Sequence, residues 1–432
     1  MVTTELKATM ASEKSDEPSD ALQHTDLDVQ AEESTPKEGV FAWVQVLGAF
    51  VLNLNTWGMM NSFGAFQTFY QLDMLSSYSS SNIAWIGSTQ SFLLFLVSLA
   101  AGPLFDAGYV RWLFWSASLL VIVGMFLTSI TSAYWQVFLT QALMMGLGFG
   151  CLYLPAPAIV SQHFHAKTAL AMGASSTGSA IGGIIYPIAF NALQPQVGFG
   201  WATRVLAFIL LATSVIPVFL MKSIAPPRPT RGLIDRTAFR DTPYLVLNLG
   251  LFFGVMGFYI IFNYVELLAL ERTDVSSHLS GYLLVIINAA SLPGRIIPGY
   301  YADRIGSLNT QASVALAGAV LTFSMLAIRT TAALVVVIVL YGFMAGAFMG
   351  LPAASIVSFC PDKSKIGTRL GMTLAFIGFG MLVSNPIAGA ILGDDEDWVG
   401  LVVWCGALLV ASFISLTVSR ILKVGSGLTK AI

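Results

Sequence analysis

Long apolar runs, separated by short polar stretches, follow one another along almost the whole chain, and there are twelve of them. They place helices at approximately 41–69, 82–104, 110–130, 133–161, 168–194, 201–223, 243–269, 279–302, 310–328, 332–358, 366–392 and 398–421. Runs of about 20 residues or more span a hydrocarbon core of ~30 Å at 1.5 Å per residue. Their apolar positions are continuous rather than alternating, which excludes the strand pattern of an outer-membrane barrel. Connections are short except 224–242, which holds Pro226, Pro227 and Pro229 among arginines. The pattern therefore predicts an N-terminal six-helix bundle (40–223), a linker (224–242) and a C-terminal six-helix bundle (243–421). A tail of 1–39 precedes them and one of 422–432 follows.

Composition agrees with this picture. Of 432 residues, 56% are hydrophobic and 10% charged, against about 25% charged in ordinary soluble domains. That excludes a soluble enzyme, a disordered protein and a disulfide scaffold. A net charge of −2 with no basic stripe argues against nucleic-acid binding. Cys151, Cys360 and Cys405 lie inside apolar runs at no ligand spacing and read as small packing residues. Residues 1–39 differ: three Lys against ten Asp/Glu give −7, and no aromatic residue is present. Such a segment cannot bury enough apolar surface to fold. It reads as a disordered acidic tail, either a solvated leader or a regulatory segment with Ser12, Ser15 and Ser19 as phosphorylation sites. The first membrane helix is then the internal signal.

Charge also orients the chain. With the N-terminus cytoplasmic, the inner loops and C-terminal tail carry Arg111, Lys167, Lys222, Arg228, Arg231, Arg236, Arg240, Arg304, Lys363, Lys365, Arg369, Arg420, Lys423 and Lys430. The outer side keeps Arg204, Arg272 and Arg329. Fourteen against three follows the positive-inside rule and places both termini in the cytoplasm.

The two halves repeat. Gly102–Asp106 ends the second run and Gly299–Asp303 the eighth, 197 residues later. At that same offset, Leu154-Pro155-Ala156 recurs as Leu351-Pro352-Ala353, and Ile159-Val160-Ser161 as Ile356-Val357-Ser358. The fifth and eleventh runs match near offset 200, through Leu170/Leu370, Gly178/Gly378 and Pro187/Pro386. Two six-helix repeats of like topology give an all-α membrane protein of twelve transmembrane helices in two pseudo-symmetric bundles. That is the major facilitator fold, with a midplane site and alternating access.

Several motifs are similar to those of the monocarboxylate porter family of that superfamily, especially its fungal members. The first run opens Glu38-Gly39-Val40-Phe41-Ala42-Trp43, with Val40 departing from the family pattern. The fifth opens Phe164-His165-Ala166-Lys167-Thr168-Ala169-Leu170-Ala171-Met172-Gly173, where Thr168 stands in place of a second basic residue. The eighth reads Asn288-Ala289-Ala290-Ser291-Leu292-Pro293-Gly294-Arg295 and continues to Ala302-Asp303-Arg304-Ile305-Gly306.

Arg295 is the most informative residue. A guanidinium within a membrane helix is costly unless it meets a cavity or a partner, and it cannot shed its charge. The resemblance implies an anchor for a substrate carboxylate; the other reading is a packing or gating arginine held by backbone carbonyls. Lactate-type carriers place an acid four residues earlier and a lysine in the first helix, where this chain has Ser291 and Asn61. Proton coupling then falls to another group, with Glu266 the candidate unless it is merely a solvated helix end. His163 and His165 read as loop residues.

Asn55, Asn61, Tyr153, Tyr259, Asn263, Tyr341 and Phe348 lie on the first, fourth, seventh and tenth helices, which line the pathway in major facilitators. As a set they suggest a moderately polar pocket for a bulky or planar substrate. Asp106 with Arg111, and Asp303 with Arg304, sit at the inner helix ends and read as gate contacts. Glycines of the fifth and eleventh helices permit close packing, and Pro155, Pro157 and Pro352 bend the fourth and tenth.

The expected function is secondary active transport of a small organic anion or weak acid, monocarboxylate-like and proton-linked. Export of a fungal secondary metabolite is the alternative. A non-transporting nutrient sensor is the reading from another class. No Gly-x4-Gly-Lys-Ser/Thr loop is present, and no enzyme activity, cofactor or metal is expected. The expected partners are the substrate, protons and the bilayer, with the plasma membrane as location and the monomer as functional unit.

Overall fold

The computed structural model describes residues 39–164, 168–224, 232–360, 366–393 and 396–425. It is helical throughout the apolar runs. In chain order the spans are α1 (Val40–Met74), α2 (Ser80–Asp106), α3 (Val110–Thr128) and α4 (Tyr134–His163), then a continuous helical run over Thr168–Leu220. After the linker come α7 (Thr242–Arg272), α8 (Ser277–Ile305), α9 (Ser307–Ala327), α10 (Thr331–Ile356), α11 (Ile366–Leu392) and α12 (Trp398–Val424).

The Thr168–Leu220 run is two crossings. Its 53 residues would extend roughly 80 Å as one helix, far beyond a bilayer core. Gly198 breaks it with φ of +77°, a conformation open to glycine at little cost. Asn55 fixes the reversal: its side chain meets Tyr186 from one limb and Thr213 and Ser214 from the other. The limbs are α5 (168–197) and α6 (199–220). With the long run divided there, the described residues make twelve crossings, the number that two six-helix repeats require.

Side-chain caps start several helices. Ser79, Asp241, Ser276, Thr330 and Asp397 each accept a backbone N–H from the first turn of α2, α7, α8, α10 and α12. The repeated Leu-Pro pairs interrupt α4 and α10 at matching points, before Pro155 and before Pro352. Proline removes a ladder donor there and crowds the preceding turn.

Glycine sets the closest crossings. Gly58 of α1 and Gly182 of α5 face each other so tightly that a methyl on either would stand under 3 Å from the other's Cα. Gly64 brings α1 onto α7, where a methyl would meet the Phe262 carbonyl at 2.6 Å. The halves also join through α2 with α11 and α5 with α8, two pairs related by the internal repeat. Phe92 and Phe379 pack at 4.9 Å across the first pair.

Candidate functional site

Helix α1 is not regular at mid-depth. Residues Leu54–Gly58 form a π segment, which widens the turn and rotates the side chains that follow; such bulges recur at functional sites. The segment carries Trp57, which becomes the hub of an aromatic cage. Its ring meets Phe95 of α2 at 5.5 Å, Tyr153 of α4 at 5.7 Å and Tyr259 of α7 at 5.9 Å, the first two edge-on. Phe262 stacks on Tyr259 at 5.6 Å. Tyr259 also donates its hydroxyl to Asn61 Oδ1 at 3.3 Å, joining the two halves.

Arg295 borders this cage, within electrostatic reach of Tyr153 and Tyr259. Its Nη1 donates to Ser179 Oγ at 2.6 Å and to the Ser176 carbonyl at 3.4 Å, both on α5 in the opposite half. Its Nε is buried without a hydrogen-bond partner. One edge of the guanidinium is therefore used in the half-to-half contact, and a donor is left for something else. Trp57, Tyr153 and Arg295 are half-buried rather than sealed, although they lie deep in the bundle. Ser291, at the acid position of lactate-type carriers, is buried and donates to the Asn288 carbonyl of its own helix.

The structure thus brings together Asn61, Tyr153, Tyr259 and Arg295 from the sequence-based set. It sends others elsewhere. Asn55 is committed inside the N-terminal half, accepting from Tyr186 and Thr213 and donating to Ser214. Tyr341 donates to the Gly257 and Phe258 carbonyls, and Phe348 packs on Phe258 at 5.1 Å; both rings are fully buried within the C-terminal half. Asn263 is buried one turn after Tyr259, beside the α1–α7 crossing at Gly64.

Glu266 lies further along α7, close to Thr68 of α1 and to Gly281 of α8. Its Oε2 is buried with no hydrogen-bond partner. Asn191 of α5 donates to the Gly281 carbonyl at 3.0 Å beside it. The carboxyl therefore stands where helices of both halves converge, not at a solvated helix end.

Arg111 is exposed at the start of α3. Arg304 is exposed on α8 and stacks over Tyr300, bonding its hydroxyl. Asp106 and Asp303 lie in α2 and α8, but their side chains fall outside the described residues, as does His165. His163 is buried, with Nδ1 at 2.9 Å from the Ile159 carbonyl.

Sequence reasoning missed Trp57 and Phe95, which look like any aromatics in an apolar run. It also missed an ion cluster on the linker side. Arg369 Nε donates to Asp235 Oδ2 at 3.2 Å, and its Nη1 to Asp241 Oδ2 at 2.8 Å.

Comparisons with known proteins agree with this fold and these helices. The Major Facilitator Superfamily model matches residues 42–332. The MFS-type transporter dbaD of Emericella nidulans is 41% identical over 379 residues, covering 87% of this chain and 85% of that protein. The aspyridones efflux protein apdF of the same organism is 36% identical over 379 residues, covering 88% and 77%. The fujikurins efflux protein of Gibberella fujikuroi is 34% identical over 441 residues, covering 99% and 94%. Among solved structures, the crystal structure of tetrameric PepTSo2 superposes with a TM-score of 0.64 at 14% identity, covering 88% of this chain and 97% of that one.

Proposed function

We propose that this chain, which belongs to the Major Facilitator Superfamily, exports an acidic secondary metabolite by alternating access linked to protons. Two of the relatives are named as efflux proteins, for aspyridones and for fujikurins, which favours export over uptake. The observation that carries the acidic substrate is Arg295: one edge is bonded across the halves, and Nε is buried with no hydrogen-bond partner beside an aromatic cage. A bound carboxylate or enolate would take that donor, and the charge-assisted bond would offset the cost of the buried cation.

In this reading Arg295, Asn61, Tyr153, Tyr259 and Trp57 hold the substrate, and Asn263 lies at the margin. Asn55, Tyr341 and Phe348 hold helices together. Glu266 carries the proton. Asp106 with Arg111, and Asp303 with Arg304, belong to the gate on the linker side, which is the cytoplasmic side of the plasma membrane. Residues 40–223 and 243–421 act as the rocking units, and one copy suffices.

Disrupting the gene in its native host and measuring metabolites in cells and medium tests this. Acidic metabolites should accumulate inside, and wild-type protein should restore their release while Arg295→Gln, reaching the membrane equally, does not. Unchanged partition on disruption, or full restoration by Arg295→Gln, defeats the proposal. The second reading is uptake of a short monocarboxylate, favoured by the position of Arg295 in α8. Lactate-type uptake in reconstituted vesicles would support it.

A further inference from the structure

The segment leading into α7 is sorted by side. It runs from Gly232 to Asp241 and contains a short 3-10 helix, Arg236–Arg240. Asp235 and Ala238 point inward and are buried, at 7% and 0% exposure. Asp235 Oδ1 accepts from the Thr237 N–H at 3.1 Å and the Thr237 hydroxyl at 2.7 Å, while Oδ2 takes Arg369 Nε. Thr368 of α11 donates to the Gly232 carbonyl at 3.3 Å. The inner face of the segment is thus fastened to the first turn of α11.

The outer face is different. Leu233, Ile234 and Phe239 are 44%, 62% and 59% exposed, and Arg236 and Arg240 are exposed among them. Both acids of the segment pair with Arg369, while both arginines are exposed. Among the described residues neither Arg236 nor Arg240 has an ion-pair partner. The segment passes directly into α7 at Thr242 and rests on the start of α11, the points where two helices enter the membrane. At the ends of two membrane-spanning helices, an exposed face falls where the headgroups of a bilayer would lie.

We propose that this face is a docking surface for anionic lipid. Arg236 and Arg240 would take phosphate oxygens of the headgroups, and Ile234 and Phe239 would enter the acyl boundary, as interfacial amphipathic segments do. A neutral surface would satisfy the apolar side chains but leave the outward charge unmatched, which is why the occupant is anionic. Because the inner face is clamped to α11, and α11 packs on α2 of the other half through Phe379 on Phe92, bound lipid steadies a helix at the moving interface. This inference is independent of what is transported.

The test uses the full chain purified in a neutral detergent. Its thermal unfolding midpoint is followed as phosphatidylglycerol or phosphatidylcholine is added, for wild type, Arg236→Gln with Arg240→Gln, and Phe239→Ser. Phosphatidylglycerol should raise the wild-type midpoint at lower concentration than phosphatidylcholine does. The double variant should need roughly thirtyfold more of it, the equivalent of ~1 kcal/mol for each arginine, while matching wild type without lipid. Phe239→Ser should weaken the response to both lipids. Equal responses to the two lipids in wild type, or an undiminished phosphatidylglycerol response in the double variant, overturns the proposal. A lipid-independent dimer abolished by Phe239→Ser also overturns it and assigns the face to a second copy.

Discussion

Removing the Arg369 guanidinium should destabilise the protein by about 3 kcal/mol. Arg369 is 3% exposed, and its two partners differ in their access to water. The Asp235 side chain is 5% exposed and that of Asp241 is 20%. Deleting one member of a buried ion pair costs about 3–5 kcal/mol, because the other charge stays buried. Two features hold Arg369→Met at the low end: Asp235 keeps both bonds from Thr237, and Asp241 keeps water and its cap on Tyr244. The guanidinium also lies 5.1 Å from the centre of the Tyr244 ring, a contact of about 0.5–1 kcal/mol. Arg369→Lys should cost less, yet not be silent, since a point charge cannot hold both carboxylates as the planar fork does. Adding Asp235→Asn and Asp241→Asn to Arg369→Met should recover much of the loss, because asparagine caps α7 as well as aspartate does. Denaturant titration in detergent, followed by fluorescence, measures all three variants. Wild-type stability for Arg369→Met, or a triple variant no better than the single one, refutes the reasoning.

Trp57→Leu removes the hub of the cage, and an aromatic pair is worth about 0.5–1.5 kcal/mol beyond its area. Apparent affinity for aromatic acids should fall roughly two- to tenfold in transport assays while that for aliphatic acids holds; an equal fall for both classes would count against a stacking role. Glu266→Gln should leave counterflow of substrate intact and abolish accumulation driven by a pH gradient in inverted vesicles. A variant that still concentrates substrate on acidifying one side would remove Glu266 from proton coupling.

The helices were legible because a bilayer imposes one simple demand, a long apolar run per crossing. The break between α5 and α6 at Gly198 fell inside the gap left between the fifth and sixth runs. The repeat was legible because Leu154-Pro155 and Leu351-Pro352 end helical segments in both halves. Arg295 stood out because a charge inside such a run needs a reason. What stayed hidden depends on which side of a helix faces which neighbour. Asn55 and Asn61 sit six residues apart on α1, yet Asn55 faces α5 and α6 while Asn61 faces Tyr259 of α7. Tyr341 and Phe348 share one face of α10, and that face packs on α7: Tyr341 bonds the Gly257 and Phe258 carbonyls, and Phe348 fills the space left by Gly254. The Arg369 cluster joins residues more than a hundred positions apart, so its arginine read only as one more inward charge.

The seal on the side opposite the linker gives the export proposal a physical scale. Ser81 Oγ of α2 donates to the Pro386 carbonyl of α11 at 2.8 Å, and Asn191 Nδ2 of α5 donates to the Gly281 carbonyl of α8 at 3.0 Å. Gly389 lies so close to Ser81 that a methyl there would meet the serine nitrogen at 2.7 Å. A substrate released on that side must separate these contacts. Two hydrogen bonds at ~1 kcal/mol net each, plus packing, amount to only a few kcal/mol. Differential binding of one substrate or one proton supplies that much. Glu266 stands beside the Asn191–Gly281 contact with an oxygen that finds no partner while the seal is shut. Opening would give that oxygen water, so the hydration of one carboxyl and the parting of the two halves become the same event. In the proposed mechanism a proton bound or lost there would bias which side the transporter faces without touching the substrate.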